Sequence, residues 1–149
     1  MCMVVFRVAA APQQNRNKGG VIMAYDIAMD INTNDIVLQD GDIMMIDNAE
    51  RVAQQILITL RFWFGEWFLN TTEGTPYLEY ILVKQPNMAH IRQILTDQIQ
   101  SVEGVKAVTN MELTFDQRER HLLVEYTADT DYGLVTDKAI LGYDRQGVR

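Results

Sequence analysis

The chain has 149 residues, 48% of them hydrophobic and 22% charged, which is enough apolar mass for one globular core and too short a chain for two. Its 20 Asp and Glu against 13 Lys and Arg leave a net charge of −7, which repels phosphate backbones and argues against nucleic acid as a partner. A single cysteine, Cys2, excludes an internal disulfide and a cysteine-rich metal site, and every apolar stretch is interrupted well short of the ~20 residues that a membrane span needs.

Residues 1–22 stand apart. They run from an apolar start, Met1 to Phe6, into the polar stretch Gln13 to Lys18, without one acidic residue. Lys18-Gly19-Gly20 is what a purine-rich ribosome-binding site would encode, two codons before Met23. Met23 is therefore the expected natural start, with 1–22 a translated leader or a flexible N-terminal extension and 23–149 a single domain. Without Arg7, Arg16 and Lys18 the charge becomes −10, from 10 basic and 20 acidic residues.

From Tyr25 to Ile46, short apolar runs alternate with the turn clusters Asn32 to Asp35 and Asp40-Gly41-Asp42, which predicts short strands in a meander. Asp47 followed by Glu50 predicts a capping box opening a helix from Asn48 to Phe64. Val52, Ile56, Leu60, Trp63 and Phe64 form its apolar stripe, leaving Glu50, Gln54 and Arg61 to face water, and Gly65 is placed to end it. An ordered loop from Glu66 to Pro76 and a helical turn over Tyr77 to Leu82 follow. Pro86-Asn87 then opens a second long helix, with Met88, Ile91, Ile94, Leu95, Ile99 and Val102 on its buried face and Gly104 at its end. Val105 to Phe115 and His121 to Thr127 read as strands around a charged turn, and Leu134 to Thr136 and Ala139 to Tyr143 as a further short strand. The expected fold is α+β: a small, mainly antiparallel sheet packed against two long helices.

The run Gly65-Glu66-Trp67-Phe68-Leu69-Asn70-Thr71-Thr72-Glu73-Gly74-Thr75-Pro76-Tyr77 resembles the central signature of the baseplate wedge subunits, or sheath initiators, of contractile phage tails. Arg61 upstream, Ile81 to Lys84 downstream and Val102-Glu103-Gly104-Val105 resemble its Mu-like branch, so the likeness spans Tyr25 to Thr127. Where many relatives carry a Pro-Arg element at the second helix-to-strand junction, this chain has Glu103-Gly104-Val105, and an ionic contact made there is not carried over. The resemblance implies a structural protein of the virion tail baseplate, assembled in the host cytoplasm. Its partners would be other wedge proteins, the tail sheath protein and tube or hub proteins, with no cofactor, nucleic acid or membrane involved. The equivalent subunit of a type VI secretion system or a tailocin shares the same physics.

Within that frame, Gly65, Glu66, Trp67, Phe68, Glu73, Gly74, Pro76 and Tyr77 are the signature residues. The interface candidates are Trp63, Phe64, Trp67 and Phe68, four large aromatics within six positions, together with Leu122, Val124 and Tyr126 of a strand free of proline. The family is sometimes labelled lysozyme-like, so Glu66 and Glu73 are weighed as a glycosidase pair cleaving peptidoglycan. A shielded pocket is needed to raise one carboxyl pKa, whereas capping is the commoner role of a Glu beside a turn. His90 and His121 have no ligand-type residues at metal spacing, and Ser101 is the only serine, so neither a metal centre nor a serine hydrolase is expected.

Overall fold

A computed structural model describes residues 24–72, 74–116 and 118–142; the Met23 start, residues 1–22, Glu73 and Tyr143 lie outside the described residues. The N-terminal part is a β layer of very short strands: β1 (Asp26–Ile27), β2 (Leu38–Gln39), β3 (Asp42–Ile43) and β4 (Met45–Ile46). β1 pairs with β4 and β2 with β3, both antiparallel. The β2–β3 turn is Asp40-Gly41 with φ of 54° and 86°, the two positive values that a type I′ hairpin demands and that Asp-Gly supplies. Asp30 shapes the preceding turn by accepting from the backbone N–H groups of Asn32 and Thr33 at 2.8 and 2.9 Å, which holds its carboxyl below the usual pKa range.

The arms of this layer meet at one point. Ala28 N–H donates to Met44 O at 2.9 Å, Val37 N–H to Ala28 O at 2.9 Å, and Met44 N–H to Val37 O at 3.0 Å. Ala28, Val37 and Met44 therefore form a triangular junction on the covered side of the layer. One residue out from it stand the pairs Ile27–Met45, Met29–Ile36 and Leu38–Ile43, whose side chains alternation sends to the other face.

Helix α1 (Asn48–Arg61) follows, then one turn of π-helix (Tyr77–Ile81), helix α2 (Met88–Gln100), and three long strands: β5 (Val105–Asp116), β6 (His121–Thr130) and β7 (Gly133–Gly142). The three form an antiparallel sheet in the order β5-β6-β7. α2 lies along β5 and α1 along β7. The core forms between them from Val52, Ile56 and Leu60 of α1, Ile91, Leu95 and Ile99 of α2, and Met111, Leu122, Val124, Tyr126, Ala139 and Leu141 of the sheet. Each fully buried aliphatic side chain contributes about 1.5–3 kcal/mol relative to exposure.

The expectation of a small sheet packed against two long helices is corrected by this architecture. Among the described residues strand makes up 38% and helix 27%, in three separate sheets, and the helices are short. At 14 and 13 residues they reach only about 20 Å, whereas the ten-residue strands reach about 33 Å. α1 stops at Arg61 rather than Phe64 because Phe62 turns extended, with ψ 119°, and Trp63 bridges to Thr75. β7 is one continuous strand, where the polar pair Asp137-Lys138 had divided the sequence into fragments.

Capping differs at the two helices. Asn87 accepts from Ala89 and His90 N–H at 3.1 and 3.2 Å, as Pro86-Asn87 leads one to expect. Asp47 makes no side-chain cap bond, because Asn48 takes φ 49° and carries the chain into α1 by another route. Gly104 does close the α2–β5 junction at φ +94°, and a methyl there would stand 3.2 Å from Val52 Cγ2.

Candidate functional site

The interface candidates fall on two parts of the structure: the aromatic loop after α1 and the large sheet. The loop is tied at its base. Phe64 N–H donates to Thr75 O at 3.0 Å and Thr75 N–H to Phe62 O at 2.8 Å, while Tyr77 OH donates to Leu60 O beneath them. Tyr77 is buried, which pushes its phenol pKa up, and its ring lies 5.0 Å from that of Trp63. Gly74, at φ +111°, lets the two backbones touch: a Cβ there would lie 2.5 Å from the Trp63 carbonyl.

The signature residues thus divide by task. Gly74, Pro76 and Tyr77 close the base, and Gly65, at φ +80°, turns the chain. Glu66 accepts from Trp63 N–H at 3.1 Å and returns its own N–H to Trp63 O at 3.0 Å, so its carboxylate is a turn cap. Glu73, the other half of the weighed glycosidase pair, lies outside the described residues. Trp63 packs against the core, while Phe64, Trp67 and Phe68 stand exposed, Phe68 at 83%. The loop brings these three together on one short segment.

Leu122, Val124 and Tyr126 are placed differently. They lie on β6, the middle strand, with 0, 0 and 1% exposure, and both edges of β6 are already paired. Their side chains are core, and the free edges belong to β5 and β7. The buried Tyr126 hydroxyl has no hydrogen-bond partner, and burial raises its pKa.

The two edges are unlike. β5 carries register shifts between Val105 and Ala107 and between Val108 and Asn110, which leave Lys106 and Thr109 as extra residues. Each sends its side chain to a β6 carbonyl, Lys106 Nζ to Thr130 O at 3.2 Å and Thr109 Oγ1 to Thr127 O at 3.1 Å. β7 runs in unbroken register from Gly133, opposite Thr130, to Gly142, opposite His121. The two-residue turn closes on a mutually hydrogen-bonded Thr130–Gly133 pair, so odd-numbered residues of β7 bond to β6. The backbone groups of Leu134, Thr136, Lys138 and Ile140 therefore point to the open edge. Lys138 N–H is turned onto Asp137 Oδ1 at 2.7 Å; Leu134 and Ile140 are 62% and 59% exposed.

Sequence reasoning missed two residues that attach the N-terminal layer. Gln54, expected to face water, donates to Ile27 O and accepts from Met29 N–H, both at 2.8 Å, so its amide stands in for a neighbouring strand. Arg61 donates to Ile31 O at 3.4 Å and Asn34 Oδ1 at 3.0 Å. His90 lies edge-on to Tyr80 and His121 opposite Asp116; no group of three His, Cys, Asp or Glu that could hold a metal ion occurs among the described residues.

An exposed aromatic loop on a tied base and a sheet with an open regular edge are features suited to contact with other chains. The family model of the contractile injection system sheath initiator matches residues 25–133, and the chain belongs to that family. Its members are structural components of contractile injection systems, associated with the sheath and its neighbours. No curated protein matches the chain. The match holds the N-terminal layer, both helices, β5 and β6, and ends where β7 begins.

Proposed function

We propose that this chain starts the sheath of a contractile phage tail by strand pairing along β7, and is itself anchored to other baseplate wedge subunits through Phe64, Trp67 and Phe68. The observation that carries the first part is the β7 edge: ten residues in unbroken register, without proline, with Leu134 and Ile140 exposed. An incoming sheath strand bonds the outward N–H and C=O groups of Leu134, Thr136 and Ile140 and covers the two apolar side chains. Exposed aromatics on a fixed loop suit anchoring, because little side-chain entropy is lost when they are covered.

The test is a pull-down of purified sheath protein with wild type, Thr136→Pro and Thr136→Val. Proline removes an N–H aimed at the open edge while leaving the bonds to β6, and valine retains the N–H while removing the hydroxyl that meets Thr127 at 3.1 Å. Loss of sheath binding in the proline variant alone, with an unchanged circular dichroism spectrum, is expected. Equal binding by all three would overturn pairing along β7.

A further inference from the structure

The outer face of the N-terminal β layer is apolar, and every charged side chain that the layer itself supplies is acidic, Arg61 of α1 reaching it only at Ile31 and Asn34. Ile27, Ile36, Leu38, Ile43 and Met45 are all exposed, Leu38 to 67%, and partly buried Met29 completes the three cross-strand pairs. Polar side chains are the usual outer face of a half-covered antiparallel layer. Here both faces are apolar: the inner one buries Ala28, while the outer one stays exposed. A contiguous set of this kind on a small protein marks a contact surface.

Its charge says what fits. Residues 24–50 contain seven carboxylates, Asp26, Asp30, Asp35, Asp40, Asp42, Asp47 and Glu50, and no Lys or Arg. The one ion pair among the described residues, Lys106 to Asp131 at 3.3 Å, involves none of them. Asp26, Asp35 and Asp42 each accept the next residue's N–H at 2.8 Å, which fixes these charges beside Ile27, Ile36 and Ile43. A second copy of the chain would bring seven more negative charges against this rim, and an anionic surface would be repelled likewise.

We infer that this face is a docking site, separate from β7 and the aromatic loop, for a different protein that presents an apolar centre bordered by Lys and Arg. The apolar pairs supply area without directional bonds, and the carboxylates set orientation and reject acidic chains. Gln54 ties the layer to α1 and the Ala28–Val37–Met44 junction ties its arms to one another, so the face exists before the partner arrives.

The experiment measures binding of the full chain, by biolayer interferometry, to the purified sheath protein and to each purified structural protein encoded beside it. Three variants accompany wild type: Leu38→Ser with Ile43→Ser, Asp35→Asn with Asp42→Asn, and Thr136→Pro. One neighbour is expected to bind with affinity falling about tenfold or more in the serine variant. In the asparagine variant, which retains the N–H acceptors, affinity falls at about 0.1 M salt and the salt dependence becomes shallower than that of wild type. Thr136→Pro leaves this partner's binding unchanged, which separates the present site from the β7 edge. All exchanged side chains are exposed, so circular dichroism stays that of wild type. The inference is overturned if no neighbour's binding responds to the serine pair. Self-association in sedimentation velocity that the serine pair abolishes would overturn it too, by making a second copy the occupant.

Discussion

Gly74→Ala tests the loop base most directly. The new methyl would stand 2.5 Å from the Trp63 carbonyl carbon and oxygen and 2.6 Å from Phe64 N, where ordinary contact needs about 3.5 Å or more. All three are backbone atoms, so no side chain can swing aside. The segments must separate by about 1 Å, breaking the Phe64–Thr75 and Thr75–Phe62 bonds at about 0.5–1.5 kcal/mol each. Holding alanine at φ +111° adds about 1–3 kcal/mol, and the stiffer unfolded chain returns less than about 1. The expected net loss is about 2–4 kcal/mol. Urea unfolding followed by tryptophan fluorescence reads it well, since the protein's two tryptophans, Trp63 and Trp67, sit in this loop. Gly65→Ala is the control: at φ +80° its nearest neighbour would be Thr71 O at 4.0 Å, so only the conformational part, about 1 kcal/mol, is expected. A Gly74→Ala loss below about 1 kcal/mol, or equal to that of Gly65→Ala, would refute the steric argument.

Gln54→Leu strips Ile27 O and Met29 N–H of their partner and should destabilise by about 1–3 kcal/mol, with faster amide exchange at Met29 as the local readout. Tyr126→Phe removes a buried hydroxyl that has no partner, so urea unfolding should show no loss, or a gain of up to about 1 kcal/mol. Asp137 has its pKa raised above the usual carboxylate value, chiefly by burial. The folded protein therefore holds this proton more tightly than the unfolded chain, and the ionised group opposes folding at neutral pH. Asp137→Asn, which keeps an acceptor for Lys138 N–H, should stabilise at pH 7, with the gain shrinking as pH falls through the folded pKa towards 3.8; a gain independent of pH would sink this assignment.

Much of this was legible from local signals. Asp40-Gly41-Asp42 marked a turn between short strands, Pro86-Asn87 a helix start, and Glu66 to Pro76 an ordered loop, because each depends on backbone preferences of the residues themselves. The capping box at Asp47 and Glu50 was misleading, since the positive φ of Asn48 overrides the pattern. Gln54 and Arg61 read as solvent-facing because their partners are main-chain groups 27 and 30 residues away, and no helical periodicity reports those. Alternation correctly put Leu122, Val124 and Tyr126 on one face, but a face is not an edge. Strand order decides the edge, and it rests on β7, whose central Asp137-Lys138 hid its length. The exposure of Phe64, Trp67 and Phe68 follows from the early end of α1 at Arg61, which throws the loop outward before the helix can cover it.

The irregularity of β5 bears on how many neighbours the sheet can accept. A ribbon with two straight edges offers a place on each side, and copies of it could join in series without limit. Lys106 and Thr109 interrupt one side at its start, so only the β7 side is straight along its whole length. On the proposed reading, one fully straight side suits the first member of a row better than a place in its middle.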